Sequence, residues 1–549
     1  MTVRTGGRLL VDCLEAQGVE RAFCVPGESY LEVLDALHDS TIRTINARQE
    51  GGAAMMADAE GKMTGRPGVA MVTRGPGATN AAAGVHIAKQ DSTPMLLLVG
   101  QIGRDMKGRD AFQEVDYRQT FRDLAKWVEE IDDAERIPEI VSHAFHVAMS
   151  GRPGPVVLAL PEDMLTSETT ARPGSRVEVA DPAPTPEAMA KFAALLGAAQ
   201  KPFLVLGGTR WTDKAIGDVH RFAERHDLPV GVSFRRQGLF DHTHANYAGD
   251  VALGINPRLK TRVAESDLLI LHGTRFSEIP SQSFTLLGIP EPTQTLVHIH
   301  PGPEELGRTY RPDLAINATP GAFLAAAAEL ASAGRAGLAA VAHADYRAWS
   351  DEAPASPGGV DMGGVMMHLR DLLDDEAIMT NGAGNYATWL HRFWRFRKPD
   401  SQLAPTSGSM GYGLPAAVAA KIRHPERDVV CFAGDGCFQM TSQEFGTAAQ
   451  YGANVIVVLV DNGIYGTIRM HQEREHPGRV SATDIVNPDF AAIARAYGGH
   501  GETVERTDDF PDAFARARAS GKPAILHLKT DPEAISPTMT ISRLRAGNR

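Results

Sequence analysis

The stretch FAGDGCFQMTSQEF, residues 432–445, decides how the fold is read. An apolar run enters Gly-Asp-Gly and opens at once into a helical pattern, leaving backbone N–H groups and one carboxylate at a helix start. The N–H groups suit a phosphate, whereas Asp435 would repel one. A divalent cation shared by carboxylate and phosphate removes the conflict, and further oxygen ligands are then expected downstream. After the helix-like MTSQEFGTAAQYG comes a second apolar run, NVIVVLV (454–460), which ends in DNGIYG. Strand, helix, strand forms one crossover unit, so both strands run the same way and end side by side. Asp435 and Asn462, 27 positions apart, are thereby brought to the edge where ligands of open parallel sheets bind. With the backbone carbonyl of Ile464 they offer half an octahedron of hard oxygens. Two diphosphate oxygens and a water would complete it around Mg2+.

A chain of 549 residues exceeds what one hydrophobic core serves, and three domains of ordinary size are expected. Hydrophobic residues make up 43%, enough for ample burial. The 55 basic and 67 acidic residues are spread along the chain without a basic stripe, which argues against nucleic acid as a partner. No apolar run reaches membrane-spanning length, which argues against a membrane. The opening MTVRTGGRLLVDCLEAQGVERAF reads as an amphipathic helix leading to a strand, not as a signal peptide. Cys13, Cys24, Cys431 and Cys437 show no CxxC spacing and no bridge framework, so a reducing cytoplasm is the expected compartment.

Proline-rich stretches at 171–189 and 343–359 read as linkers. The three segments between them alternate short apolar strands with helical patterns. Examples are GVAMVT and PMLLLVGQ in the first, PFLVLGG and DLLILHG in the second, and NVIVVLV and AILHLK in the third. The expected fold class is α/β, with three doubly wound parallel-sheet domains at 1–170, 188–338 and 360–530 and a C-terminal tail at 531–549. No short repeat is visible.

A metal-held diphosphate needs the rest of its molecule placed elsewhere. In INARQEGGAAMMADAEGKMTGRPGVAMVTRGPGATN (45–80), Glu50 stands where an apolar strand meets an Ala/Met-rich helix. Burial at such a junction favours the protonated carboxyl and a proton-donating role.

The order of motifs resembles thiamine diphosphate enzymes of the acetolactate synthase, pyruvate oxidase and benzoylformate decarboxylase type, closest to acetolactate synthase catalytic subunits. The likeness runs almost end to end, through VPGESYLEVLDAL, RQEGGAAMMADAEGKMTGRPGVAMVTRGPGATN, GRDAFQEVD, GRPGPVVLALPED, SGSMGYGLPAAVAAKI, GDGCFQM and DNGIYG. The resemblance implies a pyrimidine-binding domain, a central domain and a diphosphate-binding domain. It also implies thiamine diphosphate and Mg2+ as cofactors, an active site between two chains, a homodimer as the smallest unit and commonly a homotetramer. Glu50 matches the glutamate that bonds N1′ of the aminopyrimidine, so that the 4′-nitrogen can remove the thiazolium C2 proton. A 2-oxo acid would then be decarboxylated with the cofactor as electron sink. Met410 matches the apolar wedge between the two rings. Asn385, Tyr386, Gly408, Gly434, Asp435, Gly436, Cys437, Asn462 and Ile464 match the diphosphate and metal site. Phe112 and Gln113 match residues facing the reacting centre.

The departures from the pattern bear on substrate. Glu28 replaces a glycine beside the thiazolium, Glu162 replaces a lysine, Ile279 replaces an arginine that holds a second 2-oxo acid, and His471 replaces a tryptophan. Two cations that would attract an acceptor carboxylate are thus lost, and poor formation of acetolactate from two pyruvates is expected. Glu28 would either repel an anionic acceptor or, if protonated, act as a hydrogen-bond donor or general acid. Aldehydes, water or a proton are the better acceptors in both cases. The central-domain strand end that carries carboxylates in flavin-containing relatives reads HIHPG (298–302), which argues against FAD. The expected activity is decarboxylation or carboligation of a 2-oxo acid. The alternative is a C–C lyase acting on a 2-hydroxy ketone, a diketone or a 2-hydroxyacyl-CoA. A non-catalytic binding protein is disfavoured by the intact Glu50.

Overall fold

The computed structural model describes residues 3–332 and 334–547. Three six-stranded sheets, each parallel throughout, carry the chain. The first lies within residues 21–161, the second within 202–317 and the third within 378–529. Their inner strands are apolar along almost their whole length, as sheets covered by helices on both faces require, while edge strands such as Arg43–Asn46, Trp127–Glu130 and His500–Val504 are more polar.

Numbered within each sheet, the strands run 2-1-3-4-6-5 in the first and third sheets and 3-2-1-4-5-6 in the second. The outer two are therefore topological copies that the sequence does not display as a repeat. The central sheet has the other common doubly wound order, with its switch point between strands 1 and 4.

The outer units share one core. Helix Glu50–Thr64 is built from small residues and buries Gly51 through Gly61 without a break, so it is enclosed on all sides. It packs against the equally Ala-rich helix Gly413–Arg423 of the third unit. Glycine is needed where backbones meet: a Cβ on Gly61 would lie 2.3 Å from the carbonyl oxygen of Pro94. Charges in this core are paired. Lys62 lies 2.8 Å from Asp58 and also contacts Asp91, while Tyr412 donates to Asp58 at 2.7 Å.

Two segments differ from the sequence reading. Residues 343–350, expected as linker, continue helix Leu338–Ser350, because Ala339, Ala342, Tyr346 and Ser350 recur at helical spacing and are buried. The segment after the third sheet forms the short hairpin strands Ala534–Ser536 and Met539–Thr540 and then helix Ile541–Gly547. That helix is tied to helix Gly466–Glu475 by Arg545, 2.6 Å from Glu473. All four cysteines are buried and free. No helix among the described residues is long and apolar enough to cross a membrane.

The central unit holds buried neutral histidines. Burial pushes His272 down to about 3 and His298 to about 4. Each is neutral in the fold and takes a proton on unfolding at pH between its folded value and about 6.5. Their stabilisation is complete above that pH and is lost as pH falls through the folded values, on the order of 3 kcal/mol for each. The urea midpoint should therefore fall steeply between pH 6.5 and 4.5. His272→Leu should flatten this slope by about one proton. An unchanged slope in that variant would contradict the assignment.

Candidate functional site

The third sheet brings Asp435 and the 461–464 turn together. Val429–Gly434 and Ile456–Asp461 are adjacent parallel strands, and Asp435 and Asn462 are the first residues beyond their ends. Asp435 is 4% exposed. It accepts from Gly436 N at 2.8 Å, Gly463 N at 2.9 Å and Asn487 Nδ2 at 2.8 Å. None of these partners is charged. Burial pushes its carboxyl up, despite the bonds from Gly436 and Asn487. Asn462 turns its Oδ1 towards Ile464 N, 3.2 Å away.

Asn487 also donates to Asp461 at 2.7 Å. Asp461 is the opposite case from Asp435. Burial would raise its carboxyl, but bonds from His527 at 2.7 Å and Lys529 at 2.6 Å, with Asn487, hold it well below the carboxylate range. One carboxylate of the pair is neutralised within the chain, and the other has no cationic partner among the described residues, a donor set whose charge fits a divalent cation.

The surrounding loops form a cradle. Ser407 Oγ is buried without a partner, and a Cβ on Gly408, at φ +69°, would meet no atom within 4 Å. Met410 is half-buried against an apolar cluster of the third unit. Asn385 accepts from Thr467 Oγ1 at 2.9 Å, joining the end of strand Ile378–Asn381 to helix Gly466–Glu475. Tyr386 lies behind the turn: its hydroxyl donates to Cys437 Sγ at 3.2 Å, and a Cβ on Gly434 would touch its ring at 3.0 Å. Gly411 N also donates to Cys437 Sγ, at 3.2 Å. Gly436 is packed by Tyr465 and Ile485. His471 is exposed on helix Gly466–Glu475.

The remaining predicted residues gather at the carboxyl edge of the first sheet. Glu50 begins its helix and is half-buried in the single chain, less enclosed than the sequence suggests. Its Oε2 accepts from Asn80 Nδ2 at 2.9 Å, and a Cβ on Gly77 would lie 3.4 Å from its Oε1. Glu444, from the third unit, fixes the residues before it. Fully buried, it accepts from Gln49 N at 3.0 Å and Arg48 N at 3.2 Å. Gln113, at φ +65°, packs on Gly75, and its Oε1 is buried without a partner. Phe112 beside it is 75% exposed.

The loss of cations inferred from the sequence is incomplete. Arg74, which follows the strand Gly68–Val72 by two residues, lies 2.8 Å from Glu162 and 3.6 Å from Glu28. Asn487, Asp461, Glu444 and Arg74 were not singled out in the sequence. Asp461, Arg74 and Glu444 stood within quoted motifs that could have flagged them; Asn487 did not.

Three family models match the chain in order. They are the thiamine pyrophosphate enzyme N-terminal TPP binding domain at 4–120, the central domain at 189–327, and the C-terminal TPP binding domain at 382–528. The acetolactate synthase large subunit of Parasynechococcus marenigrum is 33% identical over 542 residues, covering 95% of this chain and 87% of the relative. The chain belongs to the thiamine pyrophosphate enzyme family. The acetolactate synthase isozyme 2 large subunit of Escherichia coli is 30% identical over 529 residues, 96% of this chain and 95% of the relative. A probable acetolactate synthase large subunit of Methanocaldococcus jannaschii is 30% identical over 97% of this chain and 93% of the relative. The protein is thus a thiamine diphosphate-dependent enzyme of the acetolactate synthase-like kind, as the sequence motifs implied. The Asp435 cluster lies within the matched C-terminal domain, and Glu50 and Arg74 lie within the N-terminal one.

Proposed function

We propose that the protein decarboxylates a 2-oxo acid and joins the remaining acyl unit to an acceptor, using thiamine diphosphate and Mg2+. The observation that carries this reading is Asp435, a buried carboxylate without a counter-charge, beside Asn462 at the ends of adjacent strands. When bound, the cofactor supplies a carbon nucleophile and an electron sink. Asp435, Asn462 and the carbonyl of Ile464 would hold the metal, with Ser407, Gly408 and Gly436 close to the diphosphate. Met410 would support the bend between the rings. Glu50 would hold and return the proton at N1′, and Asn80 fixes its carboxylate for that task. Phe112, Gln113, Glu28 and His471 would line the approach to the reacting carbon.

Glu50 and Asp435 share no hydrogen-bond partner within the chain. That supports a site completed by a second copy, with a homodimer as the smallest unit and a homotetramer as the larger form. The exposed apolar side chains near the two half-sites, Phe112 at 75%, Ile468 at 54% and Met440 at 50%, support the same reading. Four buried free thiols fit a reducing cytoplasm. The arginines near the HIHPG turn, two from the central unit and Arg152 from the first, each have a partner within the chain. Arg236 donates to Asp91 O at 2.6 Å, Arg275 to Gln90 O at 2.5 Å, and Arg152 pairs with Glu305 at 2.8 Å. The absence of a carboxylate from HIHPG supports a site without flavin.

CO2 release from a panel of 2-oxo acids tests the reading. Release that requires both thiamine diphosphate and Mg2+ is expected for at least one member. No cofactor-dependent release from any of them would overturn it.

A further inference from the structure

The carboxyl edge of the first sheet carries an ion cluster. Glu28 follows the strand Arg21–Cys24, Arg74 follows Gly68–Val72, and Glu162 follows Pro155–Pro161. Arg74 has an 11% exposed side chain, whereas Glu162 is 35% and Glu28 59% exposed. One guanidinium is therefore held inside, and two carboxylates stand between it and the open face. The Nε of Arg74 is buried without a hydrogen-bond partner among the described residues. The backbone around it is fixed: Ser29 Oγ bonds Thr73 Oγ1 at 2.9 Å, and Gly75 N donates to Tyr117 OH at 2.8 Å. The same short segment continues to Asn80, which holds Glu50. The cluster and the proposed acid thus belong to one rigid rim.

An arginine at such a place is the natural clamp for a carboxylate. Here the chain supplies that carboxylate itself. We propose that Arg74 sets acceptor specificity: Glu162 and Glu28 occupy its guanidinium, so that the subsite takes an uncharged, hydroxyl-bearing carbonyl compound and turns away a second 2-oxo acid. This rests on the reading of the site given under Proposed function.

With two carboxylates against one guanidinium the rim is net negative. An entering 2-oxo acid must displace Glu162 from Arg74 or approach Glu28 against like charge. A hydroxyl group meets no such penalty, because the exposed Glu28 oxygens accept a hydrogen bond from it. The joined reaction balances without oxidant or reductant. The donor loses CO2, and the electron pair left on its carbonyl carbon forms the new bond to the acceptor's carbonyl carbon. A proton from solvent neutralises the acceptor's oxygen, giving a 2-hydroxy ketone.

Oxamate, an unreactive carboxylate shaped like a 2-oxo acid, tests the cluster without turnover. It is titrated calorimetrically into protein loaded with thiamine diphosphate and Mg2+. Glu162→Gln frees the guanidinium, so oxamate should bind about tenfold tighter or more than to the unmodified protein, at low salt. The double variant Arg74→Met, Glu162→Gln should lose that gain. In product analysis with glycolaldehyde and pyruvate competing as acceptors, Glu162→Gln should shift the ratio towards pyruvate. Should Glu162→Gln fail to fold, Glu28→Gln replaces it with the same expected direction, since that side chain is the most exposed of the three. Equal oxamate affinity in all variants overturns the proposal, as does a gain that survives loss of Arg74. Absence of cofactor-dependent CO2 release would defeat the reading under Proposed function alone, because the oxamate comparison needs no catalysis.

Discussion

Replacing Glu50 with glutamine slows hydrogen–deuterium exchange at the thiazolium C2 of bound cofactor by roughly two to four decades, the range typical of losing a positioned acid or base. Glutamine keeps the shape of the side chain and an oxygen for Asn80, which now bonds Glu50 at 2.9 Å. It cannot take and return the proton at N1′. Cofactor retention should change little, because the diphosphate and metal contacts are assigned to the third domain. The change therefore separates proton handling from binding. Exchange as fast as in the unmodified protein would leave Glu50 as a helix-start carboxylate interacting with the dipole of its own helix.

The second large effect is expected at Asp435. Asp435→Ala should abolish retention of thiamine diphosphate and Mg2+ after desalting. Losing an outer-shell partner already costs ten- to a hundredfold in metal affinity, and a direct carboxylate ligand should cost about two decades or more. Alanine removes the acceptor of Gly436 N and leaves Gly463 N and Asn487 Nδ2 only Asp461 as acceptor, so a fold defect is a competing explanation. Asp435→Asn answers it in part, since the amide loses the charge but keeps one acceptor oxygen, which can still take the bonds from Gly463 N and Asn487 Nδ2. Both variants should melt close to the unmodified apoprotein and retain no cofactor. Asn462→Ala should weaken binding less, because a neutral oxygen contributes less to a divalent ion than a carboxylate. Full occupancy in Asp435→Asn would remove the metal assignment.

The parts of this site that the sequence makes legible are those governed by local rules. Asp435 and Asn462 could be paired because one crossover connects their strands, and right-handed parallel topology leaves little freedom about where the ends fall. Asn487 could not be found this way. It reaches Asp435 and Asp461 from a loop 52 and 26 residues downstream, with no periodic pattern to announce it. Glu444 lies 395 positions from Gln49, whose N–H it accepts. Such a contact between domains follows only from the packing of the two Ala-rich helices. Charge balance at the first-sheet rim is not legible in the sequence for a related reason. Glu28 and Glu162 could be read as departures one at a time, but their shared partner Arg74 becomes visible only when three strand ends meet. The duplicated strand order of the outer sheets escaped notice because topology can persist where sequence periodicity does not. The helix over 343–350 was hidden by neighbouring prolines and acidic residues, which resemble a linker in composition.

Native mass spectrometry after incubation with thiamine diphosphate and Mg2+, followed by desalting, measures in one experiment what the assembled protein carries. An assembly of at least two chains with one thiamine diphosphate and one Mg2+ bound per chain is expected. Chains that emerge without thiamine diphosphate at saturating cofactor would contradict it.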